Sequence, residues 1–365
     1  MSRPRSSADV MTRRLRAQRL IGAPFTSAVE AVRWFGAMQA QDPAGARWAL
    51  GLRVRGATDA GVRSLLDRGV ILRTHVLRPT WHFVAPDDIR WLLDLTGPRV
   101  RRGLAGRYLR LEIDEKQMTR AVTVIARAVA GRRYMTRAQI GDVLRRARIA
   151  PDGQRLPHFI MGAELLGIIA SGPQRGRDVT YGLLDELAPR ARRLTRDEAL
   201  AEIALRYFRA HGPARLHDLA WWSGLTLADA RDSIALAGGA LVPETVDDVP
   251  HWSHPDSSST RARANVAHLL PNFDELTVGY SERGDLVDAR YPMDPSLFAF
   301  GSVLANIVTV GGRVRGAWRR TVSRDGTRIA VRPLGPMSRP EREMVDRAAA
   351  RMSRFLERDV RVDWA

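Results

Sequence analysis

Apolar residues return every three to four positions along several stretches of this chain, and the breaks between them carry helix-start chemistry. Ser27 with Glu30, Thr136 with Gln139, Thr195 with Glu198 and Ser338 with Glu341 each have capping-box spacing ahead of such a stretch. Between Asp197 and Ala210, residues Leu200, Ile203, Ala204, Tyr207 and Phe208 share one helical face, which predicts a helix packed on one side. His211-Gly212-Pro213 ends it. A short helix over Leu216 to Trp222, a turn at Gly224 and a third helix over Thr226 to Ala237 follow, then apolar Ala240-Leu241-Val242. Helices joined by a glycine turn and leading into a strand have the order of a helix-turn-helix with a wing.

The same order is predicted twice more. Helices over Asp114–Ala130, Thr136–Ala147 and Pro157–Gly167 precede Ile168-Ile169-Ala170, a turn from Gly172 to Arg177, and Val179–Leu184. This is a hairpin with Arg175 and Arg177 at its tip, which are phosphate contacts on a DNA reading and solvated turn charges otherwise. Upstream, helices over Ser27–Ala37, Pro43–Val54 and Thr58–Arg68 lead into Val70–Leu77, Arg78-Pro79 and Thr80–Val84, another hairpin. The units share architecture without visible sequence identity. The expected class is α+β, mainly α, with three tandem winged-helix units over residues 1–110, 111–192 and 193–365. The last adds β-hairpins and a closing helix. Val303–Val310, Arg313–Arg320 and Arg328–Arg332 read as strands turning at Gly311-Gly312 and Asp325-Gly326, and Arg339–Glu357 as the final helix. Pro243–Arg263, with Pro250, Pro255 and Ser257-Ser258-Ser259, reads as a mobile loop.

Charge changes the picture more than composition does. Lys plus Arg is 58 against 40 Asp plus Glu, a net +18 that makes nucleic acid the first partner to consider. The positive residues are arginines except for Lys116, so an amine for Schiff-base chemistry is scarce. The absence of cysteine excludes disulfides, thiolate nucleophiles and cysteine-containing zinc sites. No stretch reaches the roughly 18 to 20 apolar residues of a membrane span. The N-terminus carries arginines but no signal-peptide run, and reads as a frayed arm. The expectation is a cytoplasmic, nucleoid-associated monomer without a cofactor or metal. His251, His254 and His268 are loose metal-ligand types, but they have no clear carboxylate shell.

The segment Gln39-Ala40-Gln41-Asp42-Pro43 is the most informative. Asp42 before Pro43 is a helix N-cap with proline at the first helical position. A cap requires non-helical backbone just before it, where residues two apart project to the same side, so Gln39 and Gln41 can face one cavity. Two solvated glutamines in a turn remain the alternative. Trp81 and His82 on the first hairpin stand either beside a nucleic-acid groove or with one side chain in the core and one in solvent. Trp221-Trp222 reads as one surface and one core ring. Asp274 and Glu275 read either as a carboxylate pair or, since adjacent acids point apart on a strand or helix, as structural or capping residues.

The run Arg33-Trp34-Phe35-Gly36-Ala37-Met38-Gln39-Ala40-Gln41-Asp42-Pro43, with Thr80-Trp81-His82-Phe83-Val84, Leu269 to Glu275, Gly279 to Arg283, and Val310 to Arg319, resembles the winged-helix DNA glycosylase family over nearly the whole chain. Within it the sequence is most similar to the AlkZ-type interstrand-crosslink glycosylases of antibiotic-producing actinobacteria. The resemblance implies that Gln39 and Gln41 are catalytic, because the family's glutamine, aliphatic, glutamine triplet falls on Gln39, Ala40 and Gln41. A sister branch has aspartate in the third place. It also implies a concave basic surface, with Trp81, His82, Arg175, Arg177, Arg313 and Arg315 as candidate DNA contacts. The implied function is hydrolysis of the glycosidic bond of bulky N7-alkylpurines in double-stranded DNA, including antibiotic crosslinks. A winged-helix transcriptional regulator without activity is the alternative from another class.

Overall fold

The computed structural model describes residues 7–258, 265–288, 290–291, 306–323 and 326–364. Its opening helix, α1 (Ser7–Ala17), buries Val10, Met11 and Leu15, so the chain from Ser7 is no frayed arm. Apolar residues at 10, 11 and 15 give it a core-facing stripe that the arginines between them obscure in the sequence. The N-terminal amine lies outside the described residues.

The first helical group is α2 (Ala28–Phe35), the short strand β1 (Ala37–Gln39), α3 (Pro43–Gly51) and α4 (Asp59–Asp67), followed by the hairpin β2 (Leu72–His75) and β3 (Trp81–Val84). Ser27 caps α2 through Glu30 N–H, but Glu30 turns its carboxylate to Thr26 instead of completing the box. Next come α5 (Ile89–Gly103) and α6 (Ala105–Arg110), which the sequence pattern conceals because Gly97-Pro98 reads as a break.

The second group is α7 (Glu115–Val129), β4 (Met135–Thr136), α8 (Arg137–Arg146) and α9 (Arg155–Leu165), with hairpin β5 (Ile169–Arg175) and β6 (Asp178–Leu183) and a short α10 (Leu184–Leu187). The third is α11 (Arg196–His211), α12 (Leu216–Ser223) and α13 (Leu227–Ala237), with hairpin β7 (Val242–Val246) and β8 (Val249–Ser253). The capping boxes at Thr136 and Thr195 are reciprocal. The hairpin corrects the mobile-loop reading of Pro243–Arg263 over its first half. Asp247 and Asp248 both have positive φ, 48° and 62°, as a two-residue hairpin turn requires, and Asp-Asp is a weaker signal for it than Asn-Gly. Residues 259–263 of that segment lie outside the described residues.

A topological detail recurs in all three groups. An extended segment between the first and second helix pairs with the second strand of the hairpin: β1 with β3, β4 with β6, and Ala214 with Trp252 of β8. Helix, short strand, two helices and hairpin is the order expected of a winged helix.

After these come β9 (Ala267–Leu270), α14 (Glu275–Val278), β10 (Asn306–Val310), β11 (Arg313–Ser323), β12 (Gly326–Pro333), α15 (Arg339–Leu356) and β13 (Val360–Trp364). The sheet order is β13-β12-β11-β10-β9, antiparallel except for β12 with β13. Val303 and Asp325, read as strand start and turn, lie outside the described residues. Three cores form. One joins α1–α4 to this sheet and α15, with Trp48 Nε1–H donating to Leu269 O and Trp318 Nε1–H to Leu270 O. A second joins the first hairpin and α5 to α11–α13. The third closes within residues 113–181.

Candidate active site

The glutamine segment owes its shape to three devices. Gly36 at the end of α2 has φ 78°, a value that favours glycine, and its N–H still reaches Val32 O, so the chain leaves the helix sharply into β1. The strand lies antiparallel to β3 with Gln39 opposite His82. Asp42 then caps α3 by accepting Ala44 N–H at 3.0 Å, with Pro43 in the first turn. Between these ends Ala40 is buried and held on both peptide groups, its N–H donating to Trp81 O at 2.7 Å and its carbonyl accepting Arg73 Nε–H at 3.0 Å. An aliphatic residue between the glutamines is thus a core residue that pins the segment.

The glutamines are linked, though not side chain to side chain. Gln39 Oε1 accepts the backbone N–H of Gln41 at 2.9 Å, which folds the Gln39 carbonyl back onto its own turn. Gln41 Oε1 is 3.4 Å from Trp81 N, a long contact, and the Gln41 side chain is exposed. Gln39 itself is 7% exposed. The pair therefore offers one fixed, mostly buried amide and one accessible amide on the same turn.

Trp81 is half-buried beside them, with the Arg73 guanidinium 4.4 Å over its ring and the His75 ring 4.1 Å away. His75 Nδ1 meets Glu164 Oε2 at 2.5 Å, tying the first hairpin to α9. His82 points inward: it is 1% exposed, Nδ1 contacts Thr80 O at 3.0 Å, and burial, then the charge of Arg78, hold its pKa down at about 3. This corrects its reading as a DNA contact, since β3 is enclosed on both faces from His82 to Val84 and leaves only Trp81 partly open. Arg315 is corrected likewise. It is buried, 3.8 Å from the Tyr291 ring centroid and 3.2 Å from Glu341. Arg313 is half-buried and donates to Val287 O. Arg175 and Arg177 are exposed at the second hairpin tip.

Behind the glutamines lies a group of residues that spacing does not reveal. Glu275, 2% exposed, accepts Gln39 N–H at 2.6 Å through Oε1, and Trp222 Nε1–H at 3.1 Å through Oε2. His211 Nε2 lies 3.1 Å from the same Oε2. Burial raises the Glu275 pKa, but the hydrogen bond and charge of His211 and the Gln39 N–H outweigh it and hold the carboxyl below its ordinary range. Asp274 caps α14 through Leu276 N–H and forms a fully buried two-bond pair with Arg53, both bonds at 2.8 Å. Adjacent acids thus point apart as expected, one to Arg53 and one to Gln39. Gln39 and Glu275 are 236 residues apart in the chain, so no local signal could have joined them.

Among the described residues, no three His, Asp or Glu side chains gather as a metal ion would need. A cavity of about 650 Å³ opens elsewhere, lined by Arg101, Arg102 and Tyr108 among others. Gly45 in the first turn of α3 marks how tightly the segment seats, because a Cβ there would stand 2.9 Å from both Asn272 Oδ1 and Asp42 Oδ2.

The sequence model of the AlkZ-like DNA glycosylases matches residues 32–355. The chain belongs to that family. DNA is therefore its substrate, and cleavage of a base–sugar bond its reaction. The solved structure of the Streptomyces sahachiroi DNA glycosylase AlkZ is similar over 100% of both chains, with a TM-score of 0.82 and 19% identity. At that identity the likeness establishes the fold. No curated protein sequence matches the chain. Among the described residues, no helix of this glycosylase is long and apolar enough to cross a membrane.

Proposed function

We propose that this glycosylase excises bulky N7-alkylpurines, interstrand crosslinks included, from double-stranded DNA by a hydrolytic, monofunctional mechanism. The observation that carries the reading is the linked pair Gln39 and Gln41 on one braced turn. A guanine alkylated at N7 is cationic, so its glycosidic bond breaks to release a neutral base and no acid is required. An amide then suffices. Gln41, the accessible member, holds the attacking water or the oxocarbenium-like sugar through its carbonyl, while Gln39 fixes the turn that presents it. Glutamine is a poor base, so undamaged nucleosides, whose departure needs stronger assistance, are left alone. With glutamine in the third place of the triplet, the chain sits on the Gln-aliphatic-Gln branch.

Three winged-helix units form the DNA-binding frame of a monomer that works in the cytoplasm, on the nucleoid. Trp81 faces the lesion, Arg175 and Arg177 meet phosphates, and Arg313 assists from β11. Water is the nucleophile because amines are scarce: Lys116 is exposed on the first turn of α7, in the second helical group, with Asp114 and Glu115 beside it. Incubation with duplex DNA containing 7-methylguanine tests the reading. Released 7-methylguanine over an intact abasic strand is expected. A covalent protein–DNA adduct trapped in good yield by borohydride contradicts the hydrolytic step, and the absence of any released base contradicts the substrate class.

A further inference from the structure

We infer that Glu275 is a positioning residue for catalysis, a buried carboxylate that sets the pose of Gln39 through its backbone N–H. The inference rests on the catalytic reading of Gln39. Three donors converge on this one side chain: Gln39 N–H on Oε1 at 2.6 Å, and Trp222 Nε1–H and His211 Nε2 on Oε2, each at 3.1 Å. They come from β1, α12 and α11, so the carboxylate ties the catalytic strand to the third helical group. His211 is fixed at both ring nitrogens, with Nδ1 facing Tyr207 O at 3.2 Å and Nε2 facing the carboxylate at 3.1 Å. His211 is itself held by its ring stacked on Tyr207 and by contact with Phe35 of α2.

The neighbouring residue explains how Glu275 is held. Phe273 adopts φ 60°, Asp274 N-caps the four-residue α14, and Arg53 grips Asp274 from α3's C-terminal side with Gln18 Oε1 on the same guanidinium. Glu275 begins that turn, so its Cα is fixed before its side chain makes any contact. Other charged and titratable groups near it are His82, which is buried neutral, Arg78 from the first hairpin, and the buried phenols of Tyr207 and Tyr280. The Gln39 N–H is bound to a full negative charge in a water-excluded site, and such a bond is stronger and shorter than one to a neutral acceptor. Fixing N–H of residue 39 fixes the rotation of its peptide, hence the direction from which its side chain reaches Gln41 N–H.

The test combines a resonance and a rate. In the whole wild-type protein the Gln39 amide proton should resonate far downfield and exchange slowly. A random-coil shift overturns the proposal without any variant. Glu275→Gln keeps the shape but removes the charge. It should move that resonance upfield and lower single-turnover release of 7-methylguanine about tenfold or more, with DNA affinity unchanged. Added to Gln39→Ala, it should cost almost nothing further, because it acts through Gln39. Full activity in Glu275→Gln, or a loss that simply multiplies with that of Gln39→Ala, overturns the positioning role. Undiminished activity in Gln39→Ala defeats the catalytic reading itself, and the positioning role with it.

Discussion

Which nitrogen or oxygen of each side chain is already engaged decides what this site can offer. Gln39 gives its carbonyl to Gln41 N–H, and Ala40 gives both peptide groups to Trp81 and Arg73, so only Gln41 keeps an accessible amide. Histidine shows the same logic in reverse. His82 and His268 are fully enclosed and stay neutral, with pKa values pressed down mainly by burial to about 3 and about 4. In the unfolded chain both return to about 6.5. Between those limits the unfolded state takes up protons that the native state refuses, so stability is complete above about pH 6.5 and falls as the pH drops toward the native values. At pH 5 each histidine should remove about 2 kcal/mol. Thermal unfolding from pH 7.5 to 5 checks this. The midpoint should fall, and His82→Asn should flatten the dependence by about one proton; parallel curves for the two proteins would contradict the assignment.

At the scale of elements, local chemistry was legible and long-range chemistry was not. Thr136, Thr195 and Ser338 cap the helices their spacing predicts, Asp42-Pro43 opens α3, and the hairpins at residues 72–84 and 169–183 lie where apolar runs broken by turn residues put them. The extended pose of Gln39 followed from the Asp42 cap alone. The partners of Glu275, His211 and Arg73 were not legible, because the fold brings them in from far along the chain rather than from neighbouring positions. The exposed hairpin tip is where an element-level expectation can be measured. Arg175 is steadied by Gln139 Oε1 and Tyr134 O, which holds its guanidinium near the tip without burying it. If Arg175 and Arg177 each neutralise one phosphate, replacing both by alanine should reduce the log–log salt slope of DNA binding by about 1.8, at about 0.9 per phosphate. An unchanged slope would leave the two as solvated turn charges.

Across the whole molecule, the cores run against chain order. The first group shares its core with the C-terminal sheet, and the first hairpin shares another with α11–α13, so the glutamine turn stands where the first and last parts of the chain meet. This is why a buried acid near residue 275 can brace a strand near residue 39. The charge is divided in the same way. Arg14, Arg47, Arg53 and Arg315 pair with Asp285, Asp59, Asp274 and Glu341, and these pairs are neutral, so the surplus of +18 falls on the remaining arginines. Arginine here serves as an internal tie as well as a surface cation, a use suited to its planar, always-charged fork.

The central claim is that Gln41, presented by the turn that Gln39 fixes, performs the excision. Single-turnover release of 7-methylguanine from duplex DNA, measured for Gln39→Ala and Gln41→Ala beside the wild type, tests it most directly. Each variant should lose about 10²-fold or more in rate, the scale for removing one positioned polar stabiliser, while binding DNA with nearly unchanged affinity. Wild-type rates in both variants would contradict the account.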